Sequence, residues 1–299
     1  MSDELEDTKP FAKADDFASK FFVNQKPPAN VRFAAASDAG KVRSNNEDHF
    51  AVVHRYRSQN LLSTNLPREH FSAIRDEAYA FVVTDGLGGA VAGELASRIV
   101  MEEAWDLSAQ AGSWVMKFHN LSDHQFEERL NAYASKMQKK LVEFSNANPN
   151  TRGMATTWTS VYVVGWDAII AHIGDSRAYV YRDGTLQQLT LDHTIGQAFE
   201  EAGVATEEAQ KYRHILTNAL DSQGDEAALD VGHFELQHND RMLLCTDGLS
   251  DVVPEGELIE LFRDMVEPRG LCNALIARAL DRGGKDNITV IIADFSKPD

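Results

Sequence analysis

The apolar positions fall into short blocks, most of them ended by a carboxylate or a glycine. The block that organises the rest is Phe81-Val82-Val83-Thr84, followed by Asp85-Gly86-Leu87-Gly88-Gly89. An apolar run with no polar break predicts a strand buried on both faces. Asp85 is then expected at the strand's end, where glycines allow positive φ and close backbone approach. A helix is predicted from about Val91 to Trp105, with Leu95, Ile99 and Val100 on one face. The same design recurs at Met242-Leu243-Leu244-Cys245-Thr246-Asp247-Gly248-Leu249.

In chain order, residues 1–28 are polar, end in Pro27-Pro28 and read as a flexible leader, with at most a helical turn near Phe17 to Phe22. Strands are predicted at Val31 to Ala36 and Phe50 to Val53. The polar stretch from Tyr56 to Arg75 predicts an extended surface connection before a strand over Ala78 to Thr84. A long helix is predicted over Asp123 to Ser145, its stripe of Phe126, Leu130, Tyr133, Met137 and Leu141 facing the core. Strands follow at Thr156 to Val164, Ala168 to Ile173, Arg177 to Tyr181 and Leu186 to Leu189, the last two joined by an Asp183-Gly184 hairpin turn. Residues 192–230 lack alternation and read as a flap with short helices at Ile195 to Ala202 and Glu207 to Tyr212. Strands resume at Val231 to Leu236 and Arg241 to Thr246. Two helices (Pro254 to Met265, Arg269 to Arg282) precede a last strand, Ile288 to Phe295. This order implies an α+β fold, two mainly antiparallel sheets packed face to face and covered by helices. Residues 29–299 are expected to form one domain.

Composition narrows the function. The chain has 299 residues, 43% hydrophobic and 9% aromatic, enough for a packed core. Asp and Glu number 46 against 29 Lys and Arg, a formal charge of −17. That balance argues against nucleic acid or an anionic membrane as partner. Cys245 and Cys272 lie in apolar contexts and suit buried thiols in a reducing compartment. No stretch reaches the ~20 apolar residues of a membrane helix, so a soluble, cytoplasmic protein is expected.

The candidate chemistry lies in carboxylates at strand ends: Glu47-Asp48 before Phe50, Asp85-Gly86, Asp175 in Ile173-Gly174-Asp175-Ser176-Arg177, Asp247-Gly248, and Asp286-Asn287 before Ile288. One Asp-Gly alone is most often just a turn. Carboxylates gathered at core strand ends would repel and be costly to desolvate. Hard divalent cations remove both penalties, and an oxygen donor set without His or Cys suits Mg²⁺ or Mn²⁺.

These residues resemble the metal-dependent protein phosphatases of type 2C. The matching motifs are Arg43-x-x-x-Glu47-Asp48, Asp85-Gly86-x-Gly88-Gly89, Gly153-x-x-Thr156-Thr157, Gly174-Asp175-Ser176-Arg177-Ala178 with Thr190-x-Asp192-His193, Cys245-Thr246-Asp247-Gly248-Leu249, and Asp286-Asn287-Ile288-Thr289. They come in the family's order over about residues 31 to 295, and the glycine spacing looks like that of bacterial members. The resemblance implies a four-layer α-β-β-α sandwich and hydrolysis of phosphoserine and phosphothreonine in proteins. It implies two Mn²⁺ or Mg²⁺ ions, with Asp85 bridging them and the Gly86 carbonyl as a further ligand. Asp247 and Asp286 would hold one ion and Glu47 would support the other, with Asp48 behind them. Asp175 with Asp247 would hold a third, weaker ion, and Arg43 would grip the substrate phosphate. A metal-activated bridging water would attack phosphorus in line, without a covalent phosphoenzyme. The expected partners are phosphorylated proteins, including a Ser/Thr kinase and its targets, and the chain is expected to be monomeric. Leu87 stands where animal members commonly carry His, which leaves the leaving-group acid unassigned. His193, Thr156, Thr157 and Ser176 are read as structural hydrogen-bonding groups. The competing readings are an inactive pseudophosphatase serving as a binding module and an unrelated Ca²⁺-binding protein. The first needs a missing ligand, and the second needs dense local ligand loops.

Overall fold

The computed structural model describes residues 29–59, 61–67, 74–89, 92–111, 123–224 and 227–298. The expected leader, residues 1–28, lies outside the described residues, as does part of the polar stretch from Tyr56 to Arg75.

Two five-stranded antiparallel sheets form the centre. One runs β1 (Asn30–Asp38), β13 (Ile288–Ser296), β12 (Arg241–Cys245), β8 (Arg177–Arg182) and β9 (Thr185–Gln188). The other runs β11 (Asp230–Glu235), β7 (Asp167–Ile173), β6 (Trp158–Val164), β3 (Ile74–Thr84) and β2 (His49–Gln59). A small third sheet joins β10 (Leu220–Asp221), β5 (Ala155–Thr156) and β4 (Gly86–Leu87).

Alternation sorts the side chains into layers. Phe81 and Val83 of β3 meet Met242, Leu244, Ile291 and Phe295 between the two large sheets. Val82 points the other way, to helices α1 (Ala92–Ala111) and α2 (Asp123–Ala147), where it joins Ala96, Val100, Met137 and Leu141. On the opposite side Leu243, Val290 and Ile292 pack against Leu258 and Phe262 of α6 (Glu255–Asp264) and Leu271 and Leu275 of α7 (Pro268–Asp281). Helices cover both outer faces, which is why the central strands show no polar break. The four-layer expectation is met. In the α2 stripe Leu130, Tyr133, Met137 and Leu141 pack as expected, while the side chain of Phe126 lies outside the described residues.

Three boundaries differ from the sequence reading. β2 and β3 pair over their whole length, His49 with Thr84 through Gln59 with Ile74, so both strands run into the stretch read as a connection. β2 is an edge strand, and backbone pairing carries polar residues there without a core to bury them. The expected strand Thr156 to Val164 is interrupted at Thr157, whose N–H turns to the Asp85 carbonyl at 2.9 Å. A short helix α5 (Asp247–Ser250) starts at the second Asp-Gly. The Asp183-Gly184 turn has φ of 51° and 84°, the left-handed pair that a two-residue hairpin requires.

Both cysteines are free and buried, and burial pushes each thiol up to about 12. Among the described residues, no helix is long and apolar enough to cross a membrane.

Candidate metal centre

The backbone of Asp85 is held on both sides by the break between β5 and β6. Its N–H donates to Thr157 Oγ1 at 2.9 Å, and its carbonyl accepts from Thr156 Oγ1 at 2.8 Å. Thr157 Oγ1 in turn pairs with Ser176 Oγ at 2.9 Å. The three hydroxyls are thus satisfied structural groups that fix the strand end. After Asp85 the chain doubles back into α1, and Gly86 packs so tightly on Gly93 that a Cβ at Gly86 would collide with the Gly93 carbonyl. A Cβ at Gly93 would collide with the Glu47 carboxylate, which therefore rests on the first turn of α1. Gly88 and Gly89 carry positive φ, 119° and 84°.

Four other segments converge here. Thr246 Oγ1 donates to Asp48 Oδ2 at 2.7 Å. Asp247 opens α5, close enough to Asp85 for its charge to act on that carboxyl. Asn287, beside Asp286, is the tie between distant loops. Its Oδ1 accepts from the Glu47 N–H at 2.8 Å, and its Nδ2 donates to the carbonyls of Ala39 and Asn45, both at 2.9 Å. Arg43 Nη2 donates to Asp286 Oδ2 at 2.6 Å across the rim. Asp175 follows Gly174, whose N–H donates to His193 Nδ1 at 3.2 Å. His193 Nε2 therefore carries the proton given to Asp230 Oδ2 at 3.0 Å, a structural role as expected.

The electrostatics show one crowded acidic cluster. Burial, then the charges of Asp247, Asp48 and Asp175, hold the Asp85 carboxyl well above its usual range. Asp175 is raised for the same reasons, burial first and then Asp247. Burial raises Asp48 and Asp247 to about 7, with Asp251 and then Asp286 adding to the effect on Asp247. Glu47 is raised mainly by burial, against the pull of Arg43. Arg43 is raised by its hydrogen bond to Asp286.

The donor set fits a hard cation. It is all oxygen, and Asp48 Oδ1 and Asp247 Oδ1 are buried without a hydrogen-bond partner, the condition a ligated ion relieves. As the side chains stand, no three carboxylates, histidines or cysteines among the described residues close on one point tightly enough to ligate an ion. Asp286 is turned to Arg43 instead. Sequence reading did not assign roles to Thr246, Asn287 or Asp251. The first two are adjacent to expected ligands, and only the fold reveals what their side chains reach.

Comparison with known proteins agrees with this layout. The family model described as protein phosphatase 2C matches residues 62–280, well over half of the chain. The serine/threonine phosphatase stp of Listeria welshimeri is 28% identical over 86% of this chain and 93% of its own length. The serine/threonine protein phosphatase PstP of Mycobacterium tuberculosis is 33% identical over 88% of this chain, which spans 45% of that longer protein. The crystal structure of the PstP catalytic domain in complex with two manganese ions superposes with a TM-score of 0.68 at 31% identity, over 89% of this chain and 99% of that one. Stp1 from Staphylococcus aureus gives 0.73 at 27% identity, over 90% and 97%. With the six motifs in order and the sandwich that carries them, the chain belongs to the protein phosphatase 2C family.

Proposed function

We propose that this chain hydrolyses phosphoserine and phosphothreonine in proteins with two Mn²⁺ or Mg²⁺ ions. The observation that carries the reading is the set of buried and half-buried strand-end carboxylates, two of them with orphaned oxygens, facing one rim arginine. Asp85, Asp247, Asp286 and Glu47, with the Gly86 carbonyl, would hold the ions. Asp48 would stand behind them, and Asp175 with Asp247 would take a third. When bound, the ions supply an activated water and neutralise charge on the phosphoryl oxygens.

The chain's own residues do the rest. Arg43 is half exposed, and its planar fork of donors suits the non-bridging oxygens of a phosphoryl group. Asp286 would exchange its hydrogen bond with Arg43 for a metal, which frees those donors for substrate. Asn287 keeps the Arg43 and Glu47 loop in place while this happens. No base stands beside Thr157 or Ser176, whose hydroxyls are committed to each other, so direct attack by water is favoured over a covalent enzyme intermediate. The physiological partners are phosphorylated proteins, including a Ser/Thr kinase and its targets, met by a cytoplasmic monomer. Residues 192–230 select among them. An inactive binding module would lack a ligand, yet Asp85, Asp247 and Asp286 are all present.

Asp85→Asn and Asp247→Asn test the assignment. Each is expected to keep its circular dichroism spectrum, to lose at least about a hundredfold in phosphothreonine-peptide turnover, and to bind Mn²⁺ more weakly by calorimetry. Near-normal turnover with intact Mn²⁺ binding in both variants would sink it.

A further inference from the structure

A second feature lies away from the acidic cluster, between the β2–β3–β6–β7 sheet and helices α1 and α2. It is a cavity of about 190 Å³, lined almost wholly by carbon. Its floor exists because one sheet face carries small residues at alternate positions: Ala51, Ala78, Ala80, Ser160 and Ala171. Larger β-formers there would have filled the space against the helices.

The same face brings in two polar groups. Arg55 lies on β2, two residues from Val53, and its Nη2 donates to the Ser108 carbonyl of α1 at 2.5 Å. Among the described residues it forms no ion pair, although the chain carries 46 acidic side chains. Tyr162 of β6 pairs with Ala80, and its hydroxyl is buried without a hydrogen-bond partner. Arg55 and Tyr162 both line the cavity. A buried phenol hydroxyl without an acceptor is unfavourable beside an apolar cavity, and the half-buried guanidinium keeps donors beyond the one given to Ser108.

We propose that this cavity binds a free medium-chain monocarboxylate, with the carboxylate accepting from Arg55 and Tyr162 and the chain lying along the alanine floor. Such a ligand satisfies both donors at once and buries its hydrocarbon against the helices. A neutral alcohol of the same length offers the guanidinium no charge-assisted partner. The site is independent of the acidic cluster, and its test does not depend on catalysis.

The experiment is calorimetric titration of the full chain with decanoate and, in parallel, with decan-1-ol. One decanoate per chain is expected, with decan-1-ol weaker by about tenfold or more, the scale of a charge-assisted hydrogen-bond pair. Arg55→Met should bring decanoate to the level of the alcohol and leave the alcohol unchanged. Ala104→Leu, on the half-buried face of α1 at the cavity wall, should abolish both while the protein remains folded. Absence of saturable decanoate binding overturns the proposal. So does decanoate binding that Arg55→Met and Ala104→Leu both leave intact. A dimer in solution that Ala104→Leu dissociates would assign the groove to a second copy of the chain and overturn it as well.

Discussion

Thr246 is fully buried one residue before Asp247, and its hydroxyl serves two neighbours. It donates to Asp48 Oδ2 at 2.7 Å and accepts from the Thr289 N–H at 3.0 Å. Thr246→Val keeps the shape and removes both bonds, leaving a buried carboxylate and a buried amide unmet. A loss of about 1–3 kcal/mol in urea unfolding is expected, and an unchanged midpoint would refute the role. The cluster around Thr246 also makes a pH prediction. Asp48 and Asp247 rise from ordinary carboxylate values to about 7 in the folded chain, because burial disfavours their charged forms. A carboxyl raised on folding contributes stability that is complete below its unfolded pKa, about 4, and lost as the pH rises through the folded one. With a chelator present, the melting temperature should therefore fall between about pH 4 and 7, and less so in Asp85→Asn. Saturating Mn²⁺ should flatten the fall, because a bound cation replaces the protons. A chelated protein that gains stability over that range would contradict it.

At the scale of elements, the strand ending in Asp85 was readable because its neighbours Phe81 to Thr84 are all apolar or buried. The hairpin at Asp183-Gly184 was readable because its chemistry is local. The length of β2 was not, since Tyr56 and its polar neighbours gain their strand from pairing with β3 rather than from burial. Nor was the interruption at Thr157, which is set by the Asp85 backbone 72 residues away. Two predictions belong here. Gly93→Ala places a methyl on the Glu47 carboxylate at the start of α1. It should raise the Mn²⁺ concentration needed for half-maximal activity by about tenfold, while overpacking costs about 1–3 kcal/mol in unfolding. An unchanged metal requirement would remove Glu47 from the site. The flap is tied to β8 by Arg177, whose Nε and Nη2 both donate to Asp192, at 2.8 and 2.6 Å, in a pair only 14% and 7% exposed. Arg177→Met strands a buried carboxylate and should cost about 3–5 kcal/mol in chemical denaturation. A loss below 1 kcal/mol would show the pair to be dispensable.

Across the whole molecule, the acidic surplus has a local cause as well as a surface one. Glu47, Asp48, Asp85, Asp175, Asp247 and Asp286 come from both large sheets and meet at one end of the sandwich, each at a strand end or on the loop or turn beside it. That placement was legible in the sequence, because each carboxylate abuts an apolar block. What the sequence could not show is the cross-chain wiring. Arg43 turned to Asp286 and Asn287 joining the Ala39 and Asn45 loops both depend on three-dimensional neighbours. The central claim is that this cluster acts only with divalent metal. It is tested most directly by phosphate release from a phosphothreonine peptide with Mn²⁺, with Mg²⁺, and after chelation. The account predicts turnover that chelation abolishes and added metal restores. Turnover undiminished by chelation, or a folded chain inactive with both ions, would contradict it.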